Sequence, residues 1–144
     1  MDAPQLARID LQTKGGIVKR DPVKMQAFKE LRQQVERNRG EARQARSQSE
    51  WDRCWGLLED AHVLSQPWVS LHIRVHASML SAAITQRSRS EITGQLVRLI
   101  AAGPASATRY PTGNSGRASV PATQPMPIRA DLAVMLERAG KRAH

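Results

Sequence analysis

Residues 50–86 read EWDRCWGLLEDAHVLSQPWVSLHIRVHASMLSAAITQ, and they determine the architecture of the chain. Apolar side chains recur at helical spacing in two blocks, 51–64 and 68–83, without the alternation typical of a strand. Between the blocks, Pro67 disfavours helix at the preceding residue and is suited to the start of the next helix. The pattern predicts two antiparallel helices, 50–64 with Ser49 as N-cap and 67–86, joined by a short turn.

Helical patterns also flank this hairpin on both sides. A first helix is predicted over 22–46, where Asp21 suits the N-cap and Pro22 the first helical position. A fourth helix begins after Ser88 or Ser90 and ends at residues 103–104 (Gly-Pro), and a last helix covers 129–141. The predicted fold class is all-α: a small antiparallel bundle of about four to five helices, built from hairpins like those of tetratricopeptide repeats.

Two segments lack such periodicity. Residues 1–20 are interpreted as a flexible N-terminal tail, and Met25 offers a second translation start close to the first helix. Residues 103–128, here called the strap, are rich in Gly, Pro, Ser, Thr and Ala, and are either disordered or laid over the helices. The predicted organisation is therefore tail 1–20, helical bundle 21–102, strap 103–128, and a C-terminal helix with its tail, 129–144.

The composition narrows the classes of partner. The 22 Lys and Arg residues outnumber the 13 Asp and Glu residues and give a formal net charge of +9, typical of a solvated basic surface or of one that contacts an anionic partner. Aromatic residues make up only 3%, too few for a base-stacking surface, so nucleic acid binding is not favoured. The sequence has no apolar run of membrane-spanning length and no signal peptide, and the single Cys54 excludes an intrachain disulfide. A cytoplasmic location is expected.

The hairpin contains four side chains that could bind a metal: Glu59, His62, His72 and His76. Residues three or four apart share a helix face, so they form two pairs, and folding the chain about residues 65–66 brings Glu59 opposite His72. Three imidazoles and a carboxylate suit one transition metal ion, zinc first, with copper, nickel or iron as alternatives. In the structural alternative, the histidines only bridge polar groups between helices. Cys54 is interpreted as a core residue.

Four stretches carry a family resemblance: 58–66 (LEDAHVLSQ), 72–76 (HIRVH), 109–116 (RYPTGNSG) and 125–132 (PMPIRADL). Through them, residues 25–138 resemble a family of short bacterial proteins catalogued only as a domain of unknown function. The resemblance implies a small helical fold and an ordered strap that packs over the bundle between residues 109 and 128. It implies no established activity.

These patterns are compatible with three functions. The favoured hypothesis is a small cytoplasmic metal-binding protein for metal handling or resistance, with the four residues above as ligands. The alternative is a helical adaptor that binds a protein partner or a second copy through a basic face with Arg32, Arg39 and Arg43. A metal-dependent enzyme is least favoured, because Glu59 is the only evident catalytic base.

Overall fold

The computed structural model describes residues 21–106 and 112–141, without the side chains of 101–106. The described part of the chain is entirely helical apart from its turns and the strap, which confirms the all-α prediction. Its helices are α1 (Pro22–Ser47), α2 (Trp51–Ser65), α3 (Val69–Gln86), α4 (Arg89–Ser106) and α5 (Ala130–Arg138). The predicted tail 1–20 and the stretch 107–111 lie outside the described residues.

Helix α1 packs along α2 as the first hairpin of the bundle. Asp21 caps α1 as predicted, since its carboxylate accepts a hydrogen bond of 2.9 Å from the Val23 N–H. The prediction of Ser49 as the cap of α2 is wrong. Ser49 has a φ of 60°, in the left-handed region, whereas an N-cap residue usually has extended dihedral angles, and Glu50 occupies the cap position instead.

Helices α2 and α3 enclose the centre of the core and are joined by a short turn at residues 66–68. Helix α3 begins at Val69 rather than at Pro67, because Trp68 is still extended, with φ −126° and ψ 104°. The core contains buried apolar side chains from α1, α2, α3 and α5: Leu31, Val35, Leu58, Leu64, Leu71, Val75, Met79, Leu132 and Leu136. Cys54 is buried among them, as predicted.

Helix α4 packs against α3 and continues past the predicted stop at residues 103–104 to Ser106. Proline removes one backbone hydrogen bond, but the residues after it can still adopt helical dihedral angles, so it marks a boundary only by preference. No helix in residues 21–106 and 112–141 is long and apolar enough to cross a membrane.

The described strap, residues 112–128, lies over α2 and α4 before the chain enters α5. It is closed on itself by Asn114, whose amide nitrogen donates to the carbonyls of Pro121 (3.0 Å) and Gln124 (2.7 Å). It is fixed to α4 by Arg98, which donates to the carbonyls of Arg117 and Val120. Residues 113–116 are thereby held directly above the end of α2.

Candidate metal centre

Three histidines meet at the centre of the bundle. His62 comes from the last turn of α2, and His72 and His76 lie one turn apart on α3. The Nε2 atom of His76 is 3.3 Å from that of His62 and 3.2 Å from that of His72. All three side chains are buried, with exposed fractions of 4%, 8% and 2% in chain order. The prediction that α2 and α3 bring these histidines together therefore matches the structure.

The outward-facing nitrogen of His62 is fixed by the strap. Its Nδ1 lies 2.8 Å from the backbone carbonyl oxygen of Asn114. Because a carbonyl can only accept a hydrogen bond, Nδ1 must carry the proton. In the neutral ring, Nε2 is then unprotonated, and its lone pair points toward the other two rings.

His76 is held in the same tautomer by α4. Its Nδ1 lies 2.8 Å from Oε1 of Gln95, and the amide nitrogen of Gln95 donates to the Gly116 carbonyl at 2.8 Å. The second bond orients the amide, so its oxygen faces His76 and accepts the Nδ1 proton. The Nε2 atom of His76 is therefore also unprotonated.

His72 has a weaker partner of the same kind. Its Nδ1 lies 3.4 Å from Oγ of Ser65, and the Ser65 hydroxyl donates its single proton to the His62 carbonyl at 3.0 Å. Because the bond to the His62 carbonyl is the shorter one, we assign the Ser65 proton to it; Ser65 then accepts from His72, and the proton of His72 is assigned to Nδ1. Three Nε2 lone pairs thus converge, and the contacts of 3.2–3.3 Å between them contain no hydrogen to bond them.

At neutral pH the three rings do not take up protons that would separate these lone pairs. Burial, together with the charges of the other two imidazoles, lowers the pKa of His62 well below its usual value. Burial and the neighbouring His76 lower the pKa of His72 to about 3. Burial also lowers the pKa of His76, although its bond to Gln95 offsets part of the effect. All three rings are neutral at pH 7, the state in which histidine binds metal.

Glu59, predicted as the fourth ligand, is placed in a charged network beside the triad. Its carboxylate pairs with Arg117 at 3.3 Å, and the same guanidinium pairs with Glu91 at 2.7 Å and stacks 4.0 Å above the Trp55 ring. The group of potential ligands that the described residues bring within 4.8 Å of one another consists of His62, His72 and His76.

The predicted register of the hairpin explains the difference. A fold about residues 65–66 would also bring Trp55 opposite His76, but the Trp55 indole N–H donates to Oε1 of Gln86 at 2.9 Å. The chain passes through an extended Trp68 before α3 begins, which shifts the pairing that a fold about residues 65–66 implies. Glu59 therefore faces the strap rather than His72.

The charged network reaches the triad through two residues of α4. Glu91 accepts hydrogen bonds from Arg117, from the Ala118 N–H at 3.0 Å and from the Gln95 amide at 3.4 Å. Burial alone would raise the pKa of Glu91, but these hydrogen bonds outweigh it and hold the pKa below its usual value. An ionised Glu91 thus orients Gln95, and Gln95 orients His76.

Gly116 closes the site from above. A Cβ atom at this position would lie 2.7–2.8 Å from ring atoms of His62, and its φ of 79° is in the region that favours glycine. Backbone therefore rests directly on the imidazole, with no space for a side chain. The strap supplies part of the wall of the centre as well as the Asn114 carbonyl that orients His62.

One protein-family model matches most of the chain. A model for a protein of unknown function, DUF3703, matches residues 29–136. The chain belongs to this family. The matched range includes the triad, both α4 residues that support it and the whole described strap. The search of curated proteins and the search of solved structures found no match.

Several residues around the three histidines were not identified from the sequence. They are the outer partners Ser65, Gln95 and Asn114, the charged pair Glu91 and Arg117, and the close-packed Gly116. The sequence of α4 does contain one indication of them. Glu91 and Gln95 lie four residues apart on a helix face that is otherwise apolar, and two polar residues on such a face indicate a buried polar contact.

Proposed function

We propose that this chain is a small cytoplasmic metal-binding protein that holds one transition metal ion at His62, His72 and His76 and serves metal handling or resistance. The observation that carries the proposal is the convergence of three unprotonated Nε2 atoms whose Nδ1 protons are all committed to other partners. Lone pairs gathered in this way repel one another, and a cation between them removes the repulsion.

The spacing supports the same conclusion. In a tetrahedral site with metal–nitrogen bonds of about 2.0 Å, the ligating nitrogens lie about 3.3 Å apart. The two Nε2 distances, 3.3 and 3.2 Å, fit this value. Hydrogen bonds from the far ring nitrogen to carbonyl and amide oxygens are also typical of histidines that ligate metal.

The nitrogen-only ligand set favours zinc and suits copper, nickel and iron(II) as well. Three protein ligands leave at least one position for water or another ligand. Glu59 remains a candidate for that position if its bond to Arg117 at 3.3 Å opens. In the arrangement described here, Glu59 supports the centre through Arg117 instead.

Plasma mass spectrometry of untagged protein, purified without chelator, tests the proposal. We expect about one equivalent of one transition metal, as a single tetrahedral site requires. The variant His72→Ala/His76→Ala should lose it. The matched control is Ser70→Ala/Arg74→Ala, at the same spacing on the exposed side of α3. Metal content unchanged in the histidine variant would refute the proposal.

A separate variant tests whether Glu59 binds the metal or supports the centre through Arg117. Glu59→Gln keeps the side chain's size and removes its charge. If Glu59 acts through Arg117, the variant should retain stoichiometric metal; if Glu59 is the fourth ligand, it should lose most of it.

The adaptor hypothesis is the second candidate. It is supported by the exposed Arg32 and Arg43 of α1 and by the exposed Val97 and Ile100 of α4. Reversing the charge at Arg32 and Arg43 should abolish capture of a protein partner that the wild-type chain retains. Absence of any partner for the wild-type chain counts against it.

A further inference from the structure

A second site of opposite character lies between α1 and α3. It is a cleft of about 180 Å³, which we call the arginine cleft. Its α1 wall carries Arg39, Arg43 and Arg46, and its α3 wall carries Ser78 and Ser81. Because liquid water occupies roughly 30 Å³ per molecule, the cleft has room for several waters or for one small solute.

The three arginines are placed by helical periodicity. Steps of four and three residues keep them on one face of α1, turned toward α3. Arg39 donates through Nε to the Ser78 hydroxyl at 2.8 Å and pairs with Glu36, and Arg46 donates to the Ser81 hydroxyl. Within residues 21–106 and 112–141, Arg43 makes no hydrogen bond or ion pair. Since each guanidinium has five N–H donors, most of these donors remain available.

The rest of the lining contains nothing that would repel an anion. The floor is Cys54 and Leu58 of α2, and the α3 wall is kept open by the small side chains of Ala77 and Ala82. None of the residues that line the cleft is Asp or Glu. Burial raises the pKa of the Cys54 thiol, so the floor is uncharged at neutral pH. Three positive charges therefore share one cavity without a carboxylate in its lining.

We propose that the arginine cleft binds a small tetrahedral oxyanion, either inorganic phosphate or the phosphoryl group of a small ester. Arginine N–H groups match the oxygens of such an anion and bind them with charge-assisted hydrogen bonds. The Ser81 hydroxyl, which accepts from Arg46, can donate to the same oxygens, and the Ser78 hydroxyl can do so when it releases its 3.2 Å hydrogen bond to the Arg74 carbonyl. The proposal uses none of the histidines and is independent of the metal centre.

The test is a calorimetric titration of the full chain with inorganic phosphate and with glycerol phosphate, against sodium chloride at matched ionic strength. Both phosphates should bind the wild type. Arg43→Gln/Arg46→Gln should weaken binding by about tenfold or more, the usual effect of losing charge-assisted hydrogen bonds. Arg32→Gln/Arg37→Gln, the same charge change on the exposed side of α1, should leave affinity within about twofold of the wild type.

A second variant blocks the cleft without removing an arginine, so that a folding defect in the arginine variant cannot be mistaken for lost binding. Ala77 is exposed on α3, so Ala77→Leu should fold normally while it fills the cleft and abolishes phosphate binding. Equal affinity for the two phosphates indicates free oxyanion as the ligand, and tighter glycerol phosphate binding indicates a phosphorylated small molecule. Repeating the titration with chelator present should change nothing. Three outcomes would overturn the proposal. The heat signal with phosphate could be no larger than that with chloride, or binding could occur only with a single-stranded oligonucleotide. The cleft and control variants could also lose the same amount of phosphate affinity.

Discussion

The metal centre and the arginine cleft are both polar cavities between helices, but one is lined by hydrogen bond acceptors and the other by donors. At the centre, every hydrogen bond donor on the three imidazoles points outward and three lone pairs point inward. In the cleft, three guanidinium groups line the cavity and none of the lining residues is Asp or Glu, although Arg39 also pairs with Glu36. The centre is buried and neutral, whereas the cleft is open and positively charged.

The sign of the charge that a polar cavity binds can be inferred from the directions of the hydrogen bonds around it. Residue types alone do not decide it, because a neutral histidine can donate or accept. The outer partners decide it: the Asn114 carbonyl and the Gln95 amide oxygen take the Nδ1 protons and leave only acceptors inside. A cavity lined with acceptors suits a cation, and a cavity lined with donors suits an anion.

Metal binding at the centre should change the stability of the protein more than any substitution considered below. Adding zinc to metal-free protein should raise the melting temperature by more than about 10 °C, since ligand at 1,000 times Kd stabilises by about 4 kcal/mol. Differential scanning calorimetry would measure the shift. His72→Ala/His76→Ala should lose this shift and Arg43→Gln/Arg46→Gln should keep it. A zinc shift that persists in the histidine variant would show that the metal binds elsewhere.

The next effect tests whether the strap is a wall of the centre. Gly116→Ala should destabilise the protein by about 2–4 kcal/mol, because the new Cβ meets the His62 ring and the residue has a positive φ. Urea unfolding would measure the loss.

Gly56→Ala is the matched control for this change. It lies in α2, where no atom is within 4 Å of the added Cβ, and it should stabilise by about 0.5–1 kcal/mol. Equal effects of the two substitutions would show that the strap does not rest on His62.

Sequence reasoning could predict the helices and the three histidines because both depend on local spacing. The i, i+4 pair His72 and His76 is fixed by α3 alone, and His62 needs only an antiparallel neighbour. The outer partners could not be predicted in this way. Asn114 is 52 residues from His62 along the chain, and only the tertiary path of the strap brings them together.

The ion pair of Glu59 with Arg117 also could not be predicted from the sequence, for a related reason. The helix face of Glu59 was predicted from periodicity, but its partner depends on the register between α2 and α3, which is set by packing and by the extended Trp68. Arg117, from the strap, then pairs with the carboxylate. An ion pair between distant segments leaves no periodic pattern in either of them.

Removal of one outer hydrogen bond partner should have a smaller effect, on zinc affinity. Gln95→Met keeps the length of the side chain but removes the acceptor for the His76 Nδ1 proton. Zinc affinity should fall by about 10–100-fold, the usual cost of losing such a partner. Competition with a chromogenic chelator would measure it, and Leu96→Ala, at the exposed neighbouring position, should leave affinity unchanged. Phosphate affinity of the cleft should be the same in both variants.

The smallest effect is expected on the free energy of unfolding when the charge of Glu91, which contacts Gln95, is removed. Glu91→Gln should cost about 1–2 kcal/mol at pH 7, because Arg117 keeps its pair with Glu59 and remains partly in water. The pKa of Glu91 is below its usual value in the folded chain, so its contribution is fully present above pH 4.5 and is lost as the pH falls through the lower, folded value.

Chemical denaturation of the two proteins over a range of pH would measure this difference. The gap in unfolding free energy between wild type and Glu91→Gln should be constant above about pH 4.5 and shrink below it. The histidines are common to both proteins, so their titration cancels in the difference. A gap that grows on acidification would mean that Glu91 is held protonated in the folded chain. The amide of Gln95 would then be oriented by Gly116 alone, and the charged network would contribute nothing to the centre.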